Sequence, residues 1–252
     1  VRDPKTRFSD RVDDYVRYRP SYPPGVVDLL ARECGVAAGT SVADVGSGTG
    51  ILTRLLLDTG AQVYGVEPNP EMRAAAERSI GRRERFHSVD GGAEASTLAS
   101  ASVDLVTAAQ AFHWFDPPRT RAEFARILRP QGFVALIWNQ RRDSPFNIDY
   151  ERMLADFAPE YAQVSERDRA AEPKLRAFFA PSVPELARFD HEQRFDEPGL
   201  RGRLTSSSYA PRADDPLYAP MMRRLGEIFA THAREGRVAF PYEAIVWYGH
   251  LA

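Results

Sequence analysis

Val42-Ala43-Asp44-Val45-Gly46-Ser47-Gly48-Thr49-Gly50 is a short apolar run that ends in three alternating glycines. The next residues, Ile51 to Asp58, put Leu52, Leu55 and Leu56 on one helical face and stop at Gly60. Strand, glycine turn and helix in that order predict a backbone that turns tightly and lets a ligand approach without meeting a Cβ atom. The start of the helix adds free N–H groups. Glycines at a lone strand end make only a turn; the flanking strand and helix point instead to a ligand loop.

The alternation continues on both sides of this stretch. Ser41 to Val45 reads as a first strand and Gln62 to Val66 as a second. Asn69 is an N-cap with Pro70 at the first helical position, and that helix runs to Gly81. Arg85 to Val89 is a third strand and Val103 to Ala108 a fourth. Thr120 to Leu128 is helical, with Phe124, Ile127 and Leu128 on one face, and Gly132 to Trp138 is a fifth strand. Strands and helices at this spacing predict an α/β doubly wound domain, a mostly parallel sheet covered on both faces. Leu186 to Phe195 and Val238 to Tyr248 add strands six and seven. Four regions are expected: an N-terminal helical segment (1–35) over the ligand site, a core (36–139), a helical cap inserted after strand five (140–184), and a C-terminal part (185–252) completing the sheet.

Composition removes several classes of function. In 252 residues, 33 basic and 35 acidic side chains leave a net charge of −2, and the pI of 6.3 argues against a nucleic-acid partner. Cys34 is the only cysteine, so neither an internal disulfide nor a cysteine-built zinc site is expected. The histidines show no i, i+4 spacing, and no required metal is expected. The longest apolar run, Phe133 to Trp138, is far too short for a membrane span. Lys5 and Lys174, the only lysines, lie in no motif, which disfavours Schiff-base chemistry. With no secretory leader at its start, the chain is expected to be cytoplasmic, a monomer or homodimer acting on a small molecule.

Which ligand the glycine loop holds depends on spacing. A dinucleotide fingerprint is G-x-G-x-x-G, whereas here the third glycine comes one residue early, giving G-x-G-x-G. Glu67 follows strand two, 21 residues after Gly46, where a carboxylate can accept hydrogen bonds from ribose hydroxyls of NAD or S-adenosylmethionine alike. The spacing favours the methyl donor; the acid decides nothing. An NAD-dependent oxidoreductase and a non-catalytic donor-binding protein remain the rival readings.

The segment from Val42 to Asn139 resembles a class I S-adenosylmethionine-dependent methyltransferase core of the type 11 group, which has a Rossmann-like sheet of seven strands. Val42 to Gly50 resembles that family's first motif, and Gly65-Val66-Glu67-Pro68-Asn69-Pro70-Glu71-Met72 the segment that grips ribose and adenine. Asp90-Gly91-Gly92-Ala93-Glu94 resembles the adenine-edge loop, Val103 to Val106 with Ala109 to Phe115 the fourth motif, and Leu128 to Phe133 the turn into strand five. Tyr15 to Pro23 and His113-Trp114-Phe115 are similar to the small-molecule branch that includes trans-aconitate methyltransferase.

The resemblance implies that Gly46, Gly48 and Gly50 pass under the methionine portion of the donor and that Asp44 supports that loop or reaches the donor's ammonium. Glu67 would hold the ribose hydroxyls and Pro68 lie against adenine. Ala93, with Asp90 or Glu94, would read the adenine amino edge, and Gln110 would contact the methionine end. Tyr15 and Arg19 would fold over the donor, Arg19 pairing its carboxylate. His113 and Trp114 are the candidate substrate contacts, His113 as a base or as a pocket wall. The tetrad after strand four, Gln110-Ala111-Phe112-His113, lacks the Asn/Asp-Pro-Pro-aromatic pattern used on base amino groups. The pairs Arg82-Arg83 and Arg141-Arg142 read as solvated charge clusters.

Overall fold

The computed structural model describes residues 16–162 and 171–251. Seven strands form one sheet: β1 (Ser41–Val45), β2 (Gln62–Val66), β3 (Phe86–Val89), β4 (Val103–Ala109), β5 (Leu128–Arg141), β6 (Glu185–Phe195) and β7 (Val238–Gly249). Their order is β3-β2-β1-β4-β5-β7-β6. β1 to β5 pair in parallel, and β7 runs antiparallel between β5 and β6. The expected mostly parallel, seven-stranded doubly wound sheet is what forms. All five residues of β1 are buried, as an interior strand of a sheet covered on both faces requires.

The described helices include α1 (Pro24–Cys34), α2 (Ile51–Asp58), α3 (Pro70–Ile80), α4 (Pro117–Ile127), α5 (Pro145–Phe157), α6 (Ala171–Phe179), α7 (Glu197–Thr205) and α8 (Tyr218–His232). None is long and apolar enough to cross a membrane. On one sheet face, Leu30 of α1 and Leu52 and Leu56 of α2 pack with Val42, Val63 and Leu105. On the other, Phe124 of α4 and Phe178 and Phe179 of α6 pack with Val106, Val134 and Leu136. Each such side chain, fully buried, stabilises the fold by about 1.5–3 kcal/mol before entropy is charged against it. A third cluster lies beyond the sheet, where Tyr150 and Leu154 of α5, Leu204 of α7 and Leu225 of α8 surround Phe240 at the outer end of β7.

Some boundaries differ from the sequence expectation. Helix α4 starts at Pro117 and not at Thr120, because Asp116 caps it by accepting from the Arg119 N–H at 3.1 Å, with proline in the first turn. Strand β5 starts at Leu128, which pairs with Val103 before a register shift. The segment expected as one cap after β5 is split between two sites. Helix α5 joins α7 and α8, tied by the Asp149–His232 contact at 2.8 Å. Helix α6 returns to the sheet, with Phe178 edge-on to Phe112 at 4.9 Å and to Phe124 at 5.9 Å. Three aromatic rings that bury together outweigh continuity with the cap.

The described end of the N-terminal segment lies against α7. Gln193 Nε2 donates to the Tyr18 carbonyl at 3.2 Å, and Arg19 Nη2 donates to the Ser206 carbonyl at 3.1 Å. A Cβ on Gly202 would clash directly with the Tyr18 ring, closest at Cε2. Gly202→Ala therefore gains about 1 kcal/mol of helix propensity and loses this seat. Limited trypsin digestion read by mass spectrometry should show cleavage after Arg17 several-fold faster in the variant; an unchanged rate would mean that another contact holds the segment.

Candidate functional site

The strand order reverses at β1 and β4. The chain leaving β1 turns toward β2, and the chain leaving β4 turns toward β5, so a crevice opens at their carboxyl ends. Two loops emerge there, Gly46 to Gly50 and Gln110 to Phe115. Between their roots lies Asp44, only 1% exposed in the middle of β1. A carboxylate buried in a sheet needs partners. Thr53 Oγ1 of α2 donates to Oδ2 at 2.6 Å, and Thr107 Oγ1 of β4 donates to Oδ1 at 3.0 Å. Burial pushes the Asp44 carboxyl up to about 6, against the pull of the two threonines.

Glu67 sits at the end of β2 and fixes the glycine loop. Its Oε2 accepts the Gly48 N–H at 2.9 Å and its Oε1 accepts the Asn69 N–H at 2.9 Å. Burial raises its carboxyl above the ordinary value, and these N–H groups and Arg73 oppose that shift. Asn69 in turn caps α3, accepting from Glu71 and Met72 at 3.0 Å. Arg73 Nη1 donates to the Glu67 carbonyl at 2.7 Å and to Asp90 at 3.2 Å, joining this corner to the loop after β3.

The three glycines have different reasons. All have φ in the left-handed region, +70°, +57° and +80° for Gly46, Gly48 and Gly50. A Cβ on Gly46 would meet Ala111 Cβ at 2.6 Å, and one on Gly50 would meet Ile80 Cδ1 at 2.7 Å. Those two let the loop pack on the β4 turn and on α3. A Cβ on Gly48 would find only Met72 Cε, at 3.4 Å. Gly48 is therefore the glycine that keeps space open.

A single cavity of about 1300 Å³ fills the crevice. Asp44, Gly46, Gly48, Glu67, Pro68, Asp90, Ala93, Glu94 and Gln110 line it, together with Arg19, His113 and Trp114. Gly50 stands off the lining, and Tyr15 lies outside the described residues. Glu94 accepts the Asp116 N–H at 2.9 Å, holding the loop after β3 to the start of α4. Gln110, at φ +55°, donates Nε2 to the Asn139 carbonyl at 2.9 Å. His113 and Trp114 occupy a short 3₁₀ turn with ring centroids 4.9 Å apart, both half-buried. Among the described residues no group of three His, Cys, Asp or Glu side chains is placed to hold a metal ion.

The cavity has a second end that the sequence did not announce. Arg141, Arg203, Tyr161, Tyr209 and Tyr242 wall it. Arg142 keeps the solvated character expected of the Arg141-Arg142 pair, half-exposed and paired with Asp190. Arg141 does not: its side chain is 15% exposed, donating Nη2 to Tyr161 at 2.7 Å and Nε to Glu151 at 3.2 Å. Continuing the alternation of strand five past Trp138 would have put Arg141 on the face of Ile137 and Asn139. Arg203 had no comparable signal, because its partner Tyr242 is 39 residues away in sequence.

A methyltransferase-domain family matches residues 43–136. An uncharacterized methyltransferase of Mycobacterium tuberculosis is 33% identical over 251 residues, covering 97% of this chain and 95% of the relative. The malonyl-[acyl-carrier protein] O-methyltransferase of Enterobacter lignolyticus is 31% identical, covering 84% and 73%. A solved structure from Anaeromyxobacter dehalogenans, described as a type II methyltransferase, shares the fold with a TM-score of 0.68 at 24% identity, covering 93% of this chain and 98% of that one.

The raised Asp44 carboxyl has a consequence for stability. The folded state holds its proton to about pH 6, the unfolded chain only to about 3.8. Folding is thus favoured below that window and loses on the order of 3 kcal/mol as pH rises through it. Urea denaturation of wild type and Asp44→Asn should show the wild type losing stability relative to the variant between pH 4 and pH 6. A constant difference across that range would place the Asp44 pKa near its ordinary value.

Proposed function

This chain belongs to the class I S-adenosylmethionine-dependent methyltransferases, and from that premise we propose that it transfers a methyl group to a small-molecule acceptor. The observation that carries this reading is the continuity of one cavity, from Glu67 and the glycine loop to the His113–Trp114 turn and on to the arginine-lined end. The residues present fit an adenosyl donor. The cradle at Gly48 is open, and Thr49 Oγ1, in the same lining, is buried with no hydrogen-bond partner among the described residues. Four carboxylates line the donor end, Asp44, Glu67, Asp90 and Glu94, which suits a ligand bearing a sulfonium and an ammonium.

When bound, S-adenosylmethionine supplies a methyl carbon on a positively charged sulfur, which passes to a nucleophile as the carbon–sulfur bond breaks and a neutral thioether is left. The chain's own share is binding, alignment and the exclusion of water. Glu67, already oriented by two backbone N–H groups, keeps lone pairs for ribose hydroxyls, and Pro68 offers an apolar face to adenine. Ala93 with Asp90 or Glu94 reads the adenine edge. Gly46, Gly48 and Asp44 shape the floor under the methionine portion, with Gly50 behind them fixing the start of α2. Gln110 holds the turn after β4 toward the methionine end, and Arg19 pairs with the donor's carboxylate. His113 takes the proton of a hydroxyl or amine nucleophile; a carboxylate nucleophile would need no base.

Calorimetric titration tests the donor assignment. S-Adenosylmethionine and S-adenosylhomocysteine should bind with micromolar affinity, about −8 kcal/mol, NADH should not bind, and Glu67→Ala should weaken both adenosyl ligands at least tenfold. Binding of NADH alone would return the loop to dinucleotide chemistry. With an acceptor in hand, His113→Gln should slow single-turnover methyl transfer at least tenfold, about 1.4 kcal/mol of barrier, at unchanged S-adenosylhomocysteine affinity; an unchanged rate would make His113 a wall.

A further inference from the structure

Arg203 presents an electrostatic problem. It is 4% exposed, and among the described residues no carboxylate pairs with it. Its Nε donates to the Tyr242 hydroxyl at 3.2 Å and its Nη1 to Ser207 Oγ at 3.1 Å, both neutral oxygens. Its carbon lies 5.6 Å from the Phe240 ring centroid. Nη2 makes no hydrogen bond to any described residue. Burying a guanidinium against neutral oxygens costs several kcal/mol, a cost that a bound negative charge would offset.

The surroundings add to that charge. Arg141 walls the same end of the cavity, and Glu151, its partner at 3.2 Å, is 45% exposed and so only partly screens it. Trp138 contributes a further donor: its indole Nε1 is buried, without a hydrogen-bond partner among the described residues, and the residue lines the same cavity. Tyr209 reports the local potential. Burial alone would push its phenol up, yet Arg141, Arg203 and Arg19 bring it down to about 8. A wall of guanidinium, indole and phenol groups is rich in donors. It matches a group that only accepts, a carboxylate or phosphate.

We propose that Arg203 and Arg141 form an anchoring subsite for an oxyanion carried by the methyl acceptor, so that the substrates of this chain are anionic. This rests on the methyltransferase reading above. The anchored group is not the methylated one. Lone pairs engaged by guanidinium N–H groups are poor nucleophiles, and the donor end of the cavity is the acidic end. The acceptor therefore carries two functions, an oxyanion held at Arg203 and a separate nucleophilic atom at the His113–Trp114 turn.

The test is calorimetric titration of the protein saturated with S-adenosylhomocysteine. The probes are glutarate, benzoate and phenyl phosphate, set against the neutral glutaramide and benzamide. At least one anion should bind ten times more tightly than the neutral amides, and the one that does identifies the oxyanion. Arg203→Gln should weaken that anion at least tenfold and leave S-adenosylhomocysteine within twofold, with Arg203→Lys in between. If Arg203→Gln does not fold, Arg141→Gln and the rise in wild-type melting temperature with anion against amide give the same discrimination. Equal binding of amides and anions, no binding of any anion, or a loss of S-adenosylhomocysteine affinity in Arg203→Gln overturns the proposal, the last by giving the guanidinium to the donor's own carboxylate. Failure of the wild type to bind S-adenosylhomocysteine at all would instead sink the methyltransferase reading.

Discussion

One buried carboxylate, that of Asp44, ties together the three elements that meet at the crevice. Its oxygens take a hydroxyl from α2 and a hydroxyl from β4, while its backbone belongs to the interior strand β1. Without those two threonines a charged or half-charged group would lie unsatisfied in the sheet, at a cost of several kcal/mol. With them, the roots of both ligand loops are set relative to one another before anything binds. Glu67 repeats the arrangement one strand over, fixing the tip of the glycine loop and the start of α3 through backbone N–H groups.

The cavity built on these two acids is polarised. Its donor end collects carboxylates and its far end collects arginines and tyrosines, so a cationic and an anionic ligand each find their own half. On the proposed reading, this separation would order two reactants through fixed charges and not through a moving part. The His113–Trp114 turn lines the same cavity, with Phe112 of that turn packed against Trp138 and Phe178.

How much of this was legible in the sequence follows from the range of the interactions. The alternation from Ser41 to Asn139 is written in local periodicity, and the strands appeared close to where they were expected. The start of α4 was misplaced by three residues because the periodicity of Phe124, Ile127 and Leu128 does not mark a helix's first turn, whereas Asp116 with Pro117 held the capping signal. The residues that line the cavity beside the glycine loop could be picked out because they sit in contiguous motifs at strand ends. The arginine end was not, since the packing that turns Arg141 inward and seats Arg203 on Tyr242 joins segments far apart in the chain. The region after β5 was read as one cap because periodicity identifies helices and says nothing about which surface they pack against; α6 went to the sheet with its phenylalanines.

The far end of the cavity is a mosaic. Arg141 ends a strand, Tyr161 follows α5, Arg203 and Tyr209 come from α7 and the turn after it, and Tyr242 lies on β7. For protein engineering this means that acceptor preference does not travel with any single transplantable cassette. Exchanging α5 alone would leave Arg203 and Tyr242 in place, and grafting the α7 region alone would bring new groups to face an old Arg141. The residues proposed to hold the donor, by contrast, sit in consecutive strand-end loops that a graft can carry intact, so on that reading the two halves of the cavity are free to diverge at different rates.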